Sequence, residues 1–206
     1  MDNRGVTTIA AVFLLISGIV VAATATSVLL SSNESSEADY EQLLDDAVDE
    51  IATYIQVKDV VGKYYEIDGK LKIQKIALLV KPMFSLDINL SELVIKINNG
   101  EQIALHYFDG ESDHVGSHPL FEHPLWNYLE NNSYSVLILT DKDSSVVEYG
   151  TMNKNTDMVY IILQLPQYLS LRNGDEMSIT LITSHGIART IFIEAPLPIK
   201  KVVNLT

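Results

Sequence analysis

Three spacings of apolar residues divide the chain. Residues 6–30, VTTIAAVFLLISGIVVAATATSVLL, carry no charge and are apolar on every side. The 22 residues from 9 to 30 make about 33 Å of helix, enough to cross a bilayer core. A polar break, SSNESS at 31–36, follows. Beyond it Tyr40, Leu44, Ala47, Val48, Ile51, Tyr54 and Ile55 recur at spacings of three and four, which places them on one face of a helix. Glu41, Asp45, Asp49 and Glu50 lie opposite, and Gly62 stands where a helix C-cap is expected. The pattern predicts a helical segment over residues 6–61, about 84 Å long if unbroken. An elongated assembly needs such a spine; a compact domain of this size does not.

From Tyr64 onward the period drops to two. Residues 71–81, 92–98, 102–108, 134–140, 158–165, 176–183 and 187–194 are rich in valine and isoleucine and read as strands. Turn signals separate them: Asp68-Gly69, Asn99-Gly100 and Asn173-Gly174, of which Asn99-Gly100 is the strongest hairpin signal. Seven or more short strands without helical periods between them predict an antiparallel Ig-like β-sandwich over residues 62–206. Pro196 and Pro198 flank a last extended segment that closes an edge. The expected fold class is therefore α+β, a long N-terminal hydrophobic α-helix followed by the sandwich.

Charge narrows the partners. The chain has 206 residues and a net charge of −13, which argues against nucleic acid and against docking on anionic lipid beyond the apolar segment itself. Residues 34–50 hold eight acids and no base, whereas Arg4 precedes the apolar run. This asymmetry puts the N-terminus inside and the bulk of the chain outside the membrane. With no cysteine there is no disulfide framework, thiolate metal site or cysteine nucleophile.

The leader and the apolar run carry a family resemblance. A secretory signal has a shorter apolar core and a small-residue cleavage site after it, which Ala22-Ala23-Thr24 matches only loosely. Arg4-Gly5 placed before the run resembles instead the class III leader of type IV pilins and archaeal flagellins (archaellins). Gly18, Ala22 and Thr26 stand four apart, a small-residue stripe that lets helix backbones pack closely in an apolar medium. Further along, Asp87-Ile88-Asn89-Leu90-Ser91 running into the 92–97 strand is similar to an archaellin loop of the "DPIDLS" type. Leu171-Arg172-Asn173-Gly174-Asp175 is similar to the family's "L-R-x-G-D" turn. Departures from the family pattern are Asn3, Thr8 and Ala10.

The resemblance implies a leader at residues 1–5, cut by a prepilin-type peptidase between Gly5 and Val6, a helical core segment at 6–61 and an outer domain at 62–206. It implies a subunit held in the cytoplasmic membrane before assembly and then polymerised, alone or with other archaellins, into the archaellum. That extracellular filament is turned for swimming by an ATP-powered motor at its base. Two other readings share these residues. One is an archaeal type IV pilin for adhesion; the other is a membrane-anchored extracytoplasmic β-sandwich that binds a partner, with its leader uncleaved.

Candidate chemistry is sparse. The sequon N-x-[ST] occurs at Asn33, Asn89, Asn131 and Asn204, and Asn131 leads because it lies in a loop. His114, His118 and His123 lie near Asp109, Glu111 and Asp113, yet their spacing matches no closed metal motif and no EF-hand. The stretch reads as a solvated loop anchored by Phe121 and Trp126. No resident metal and no cofactor is expected. No nucleophile elbow, H-E-x-x-H or phosphate-cradling glycine loop is present, so no catalytic residue is assigned and the chain is not expected to be an enzyme.

Overall fold

The computed structural model describes residues 55–206 other than Leu86 and residues 185–187. The chain enters as β1 (Ile55–Ile67), turns at Asp68-Gly69 and returns as β2 (Lys70–Pro82). Both turn residues have positive φ, 51° and 69°, the geometry a tight hairpin between right-twisted strands demands. Then come β3 (Ile88–Asn89), β4 (Val94–Asn98), β5 (Ile103–His114) and β6 (Ser133–Thr140). A single-turn helix, α1 (Ser145–Tyr149), precedes β7 (Thr151–Met152), β8 (Met158–Gln164), β9 (Glu176–Ile182), β10 (Ala188–Glu194) and β11 (Val202–Asn204). All but β3 and β7 join one sheet in the order β10-β9-β4-β5-β6-β8-β2-β1-β11.

This sheet is a strongly curled half-barrel, sandwich-like in that both of its ends face one core. The strand that makes the corner is β5. Its first part pairs with β4, His106 opposite Ile95, and its second part pairs with β6, Asp113 opposite Leu137. A register break between Phe108 and Ser112, with Gly110 at φ 87°, bends the strand where it changes partners. The β5–β6 pair is parallel, which departs from the all-antiparallel expectation. Parallel neighbours need a crossover, and residues 115–132 supply it.

The β-rich part of the expected fold holds, but the helix predicted up to residue 61 does not: residues 55–61 are the first half of β1. The strand carries a bulge. Val57 lies opposite Val80 and Asp59 opposite Leu79, so Lys58 is an extra residue. The inward positions therefore run Ile55, Val57, Val60, Gly62 and Tyr64, an alternation with one skip at the bulge, whereas the helical spacing ends at Ile55 and reaches residue 61 only by reading Gly62 as a cap. Gly62 is no C-cap. It lies mid-strand, where an added Cβ would stand 2.8 Å from Ile73 Cγ2 and 3.0 Å from Leu205 Cδ1. The rest of the predicted helix, residues 6–54, lies outside the described residues. The final segment does close an edge, Val61 pairing with Asn204.

Three central strands are buried on both faces. Ile76, Leu78 and Val80 of β2, Tyr134, Val136 and Ile138 of β6, and Ile161 and Leu163 of β8 enter the main core. Ala77, Leu137 and Ile162 point the other way and are covered by Phe121, Leu125 and Trp126 of the crossover. Two-sided burial is why these strands read as nearly unbroken apolar runs.

Candidate functional site

The cleavage residues Arg4, Gly5 and Val6, the stripe Gly18, Ala22 and Thr26, and the sequon at Asn33 lie outside the described residues. The other three sequons differ in what their amides already do. Asn89 caps a 3-10 turn: its Oδ1 accepts the Ser91 N–H at 3.0 Å and the Ser91 hydroxyl at 2.8 Å, and its Nδ2 donates to Glu92 at 3.3 Å. Asn204 Oδ1 accepts the Thr206 N–H at 2.7 Å, and its Nδ2 donates to Asp59 at 2.7 Å. Asn131 is exposed in the crossover, and among the described residues its side chain makes no hydrogen bond.

The crossover is docked rather than solvated. Phe121 and Trp126 stack with centroids 5.5 Å apart, and the Trp126 indole N–H donates to the Leu120 carbonyl at 2.8 Å. The Lys75 ammonium sits 4.8 Å over the Trp126 ring, and burial together with Lys63 pushes the Lys75 pKa down. His123, only 4% exposed, is a structural residue. Its Nδ1 accepts the Leu125 N–H at 3.2 Å, and its Nε2–H donates to the His114 carbonyl at 3.1 Å, with Asp113 at 3.7 Å. His118 meets it edge-on at 5.4 Å. With both ring nitrogens committed, His123 holds the crossover in place, and Asp109 is likewise engaged by the Ser135 hydroxyl.

A different acidic group gathers at the other end of β6. Carboxylate oxygens of Asp141, Asp143 and Asp157 all lie within 4.8 Å of one another. Asp141 directly follows β6 and caps α1, accepting the N–H groups of Ser145 at 3.2 Å and Val146 at 3.0 Å. Asp157, fully buried just before β8, accepts the Asn153 and Lys154 N–H groups at 3.0 and 2.8 Å through Oδ2. Its Oδ1 is buried without a partner, as are Ser145 Oγ and Asn153 Oδ1. Lys154 lies 2.7 Å from Asp143 and holds that carboxyl well below the usual carboxylate range. A buried carboxylate oxygen left without a partner is costly, and here it belongs to an all-oxygen donor set. Such a set suits a hard divalent cation of the calcium type, which takes six to eight oxygens at roughly 2.3–2.6 Å. Nothing in the arrangement supplies a nucleophile–base pair.

Sequence reasoning passed over this cluster. Asp141-Lys142-Asp143 alone is an ordinary surface pattern, and Asp157 arrives from another loop. The alternation of Asp141, Asp143 and Ser145 is the one local signal that points to it.

The sequence pattern of the family described as archaeal-type flagellin matches residues 5–193, nearly the whole chain. The chain is an archaeal-type flagellin. Flagellin B3 of Methanocaldococcus jannaschii is 28% identical to this archaellin over 159 residues, 74% of this chain and 72% of the relative. The fold agrees with the crystal structure of archaeal flagellin FlaB1 from the same organism, with a TM-score of 0.64 and 19% identity across 73% of this chain and 95% of that one. The archaeal flagellum of Methanospirillum hungatei gives a TM-score of 0.60 at 10% identity over the full length of both chains. This archaellin is thus a non-catalytic structural subunit of the archaellum, the filament of archaeal motility, and acts outside the cell.

Proposed function

We propose that this archaellin is cut between Gly5 and Val6 by a prepilin-type peptidase and then polymerises, alone or with other archaellins, through its apolar segment. One observation carries the reading: an uncharged run at residues 6–30 directly follows Arg4-Gly5, and the family match opens at residue 5. A segment apolar on every side must be buried in lipid or among copies of itself. Before assembly it anchors the chain in the cytoplasmic membrane, with the acidic stretch and the β-domain outside. Gly18, Ala22 and Thr26 form the face along which neighbouring segments pack. Contacts between unlike surfaces that do not close then extend into a helical filament, turned from its base by a motor.

Mass spectrometry of the N-terminal peptide from filaments sheared off cells tests this reading. A mature chain beginning at Val6 supports it. A chain that keeps residues 1–5 and stays with the membranes overturns it in favour of a permanent anchor.

A further inference from the structure

Lys72, near the start of β2, is a buried cation with nothing to balance it. It is 9% exposed and forms no ion pair and no hydrogen bond among the described residues. An ammonium held out of water without a partner is costly. Lys72 lines a polar cavity of about 600 Å³ where β2, the β4–β5 hairpin and the β8–β9 connection meet. That size lies within the roughly 300–1,000 Å³ of small-molecule sites. A second cation, Arg172, lines the same cavity, exposed and likewise without an ion pair among the described residues. Glu101, Asp175 and Glu176 complete its charged groups, and none of them pairs with either cation. Tyr168 adds a ring, 56% exposed.

The walls are fixed by their own backbone bonds. The Ile73 N–H donates to the Leu171 carbonyl at 2.8 Å, and the Leu171 N–H returns to Ile73 at 3.0 Å. The Arg172 N–H donates to Asp175 at 2.8 Å, and Asn99 Oδ1 accepts the Gln102 N–H at 2.8 Å.

We infer that this cavity binds a sugar acid, a hydroxylated ring that bears one carboxylate. The carboxylate falls to Lys72 and Arg172, whose planar fork matches it. Ring hydroxyls donate to Glu101 and Glu176, which as carboxylates only accept. The C–H face of the ring covers Tyr168. Each rival class leaves something unmet. A neutral sugar leaves Lys72 unpaired, and a doubly charged phosphate ester is repelled by three carboxylates. A small amino acid meets both signs of charge but leaves the Tyr168 ring bare. Because the subunit acts outside the cell, the ligand is either a free sugar acid or one residue of a surface polysaccharide.

Titration calorimetry of galacturonate into the full-length chain in detergent micelles tests the site. Saturable binding at a single site in the millimolar range is expected, with glucose and acetate each about tenfold weaker or more. Lys72→Met keeps the buried stem and removes the ammonium, so it should lower galacturonate affinity about tenfold while Tm holds. Should that variant fail to fold, Arg172→Gln, on an exposed turn, carries the same test. Tighter binding of trigalacturonate than of galacturonate marks a polysaccharide as the source, and equal binding marks the free sugar acid; both uphold the site. No galacturonate binding to wild type overturns it, as does equal binding of glucose. Alanine bound in place of galacturonate overturns the sugar, and unchanged affinity in the folded variants overturns the cations as its anchor.

Discussion

The Trp126 ring lies against Phe121 at a 23° interplanar angle and seals the outer face of the three central strands over Ala77, Leu137 and Ile162. Trp126 is 3% exposed and also carries Lys75 on its ring, so its removal opens a cavity and strips a cation–π partner. Trp126→Ala is expected to destabilise the domain by about 3–5 kcal/mol, a drop of roughly 10 °C or more in Tm. Thermal unfolding followed by circular dichroism measures this. A loss of only a degree or two would mean the crossover is not part of the core.

Calcium should stabilise the protein through the Asp141, Asp143 and Asp157 oxygens. At about a hundred times its Kd, a cation bound to the native state alone adds roughly 2.7 kcal/mol. Tm is expected to rise by several degrees on adding calcium and to return with chelator. Asp157→Asn keeps an acceptor for the Asn153 and Lys154 N–H groups but removes the charge, so it should abolish the calcium response. An unchanged Tm in wild type with and without calcium would leave this cluster as a plain helix cap.

His106 sets an acid limit. It is fully buried, with Nε2 3.4 Å from the Gln164 carbonyl and Nδ1 without a partner, and burial pushes its pKa below the ordinary 6.5. The unfolded chain therefore takes up this proton first as pH falls. No penalty exists above about pH 6.5, and stability declines as pH drops from there toward the folded pKa. Urea unfolding of wild type and His106→Leu between pH 5 and 7.5 isolates the effect: the variant should lose about one proton's worth of slope below pH 6.5. Equal slopes would assign the acid sensitivity to other groups.

Among the described sequons, Asn131 is the expected glycan acceptor, because its amide is exposed and uncommitted while Asn89 and Asn204 hold local turns. Intact-mass measurement on sheared protein should show a glycan-sized loss with Asn131→Gln and no change with Asn89→Gln or Asn204→Gln. Loss of mass from either of the latter would show that turn bonding does not protect the amide.

How much of this was legible depended on how locally each feature is encoded. Strands β2, β6 and β8 announced themselves because two-sided burial writes apolar runs between turn residues, and Asp68-Gly69 marked its hairpin directly. The start of strand β1 misled because Gly62 read as a helix cap, and that it is small to let Ile73 and Leu205 approach is invisible until β2 and the C-terminal segment are laid beside it. The parallel β5–β6 pair was equally hidden, since nothing in either strand states its direction relative to the other. Phe121 and Trp126 were recognisable as an anchor, but not that they anchor onto Leu137 and Ile162. The acidic cluster failed the same test: Asp157 joins Asp141 and Asp143 only through the fold.

The sharing of β5 between β4 and β6 has a mechanical consequence. A torque applied across this domain cannot be relieved by letting one half of the sheet slide free of the other. Residues 103–106 of β5 pair with β4 and residues from Tyr107 onward pair with β6, so the two halves are joined by the covalent backbone between His106 and Tyr107, and parting them means stripping β5 from one neighbour or the other.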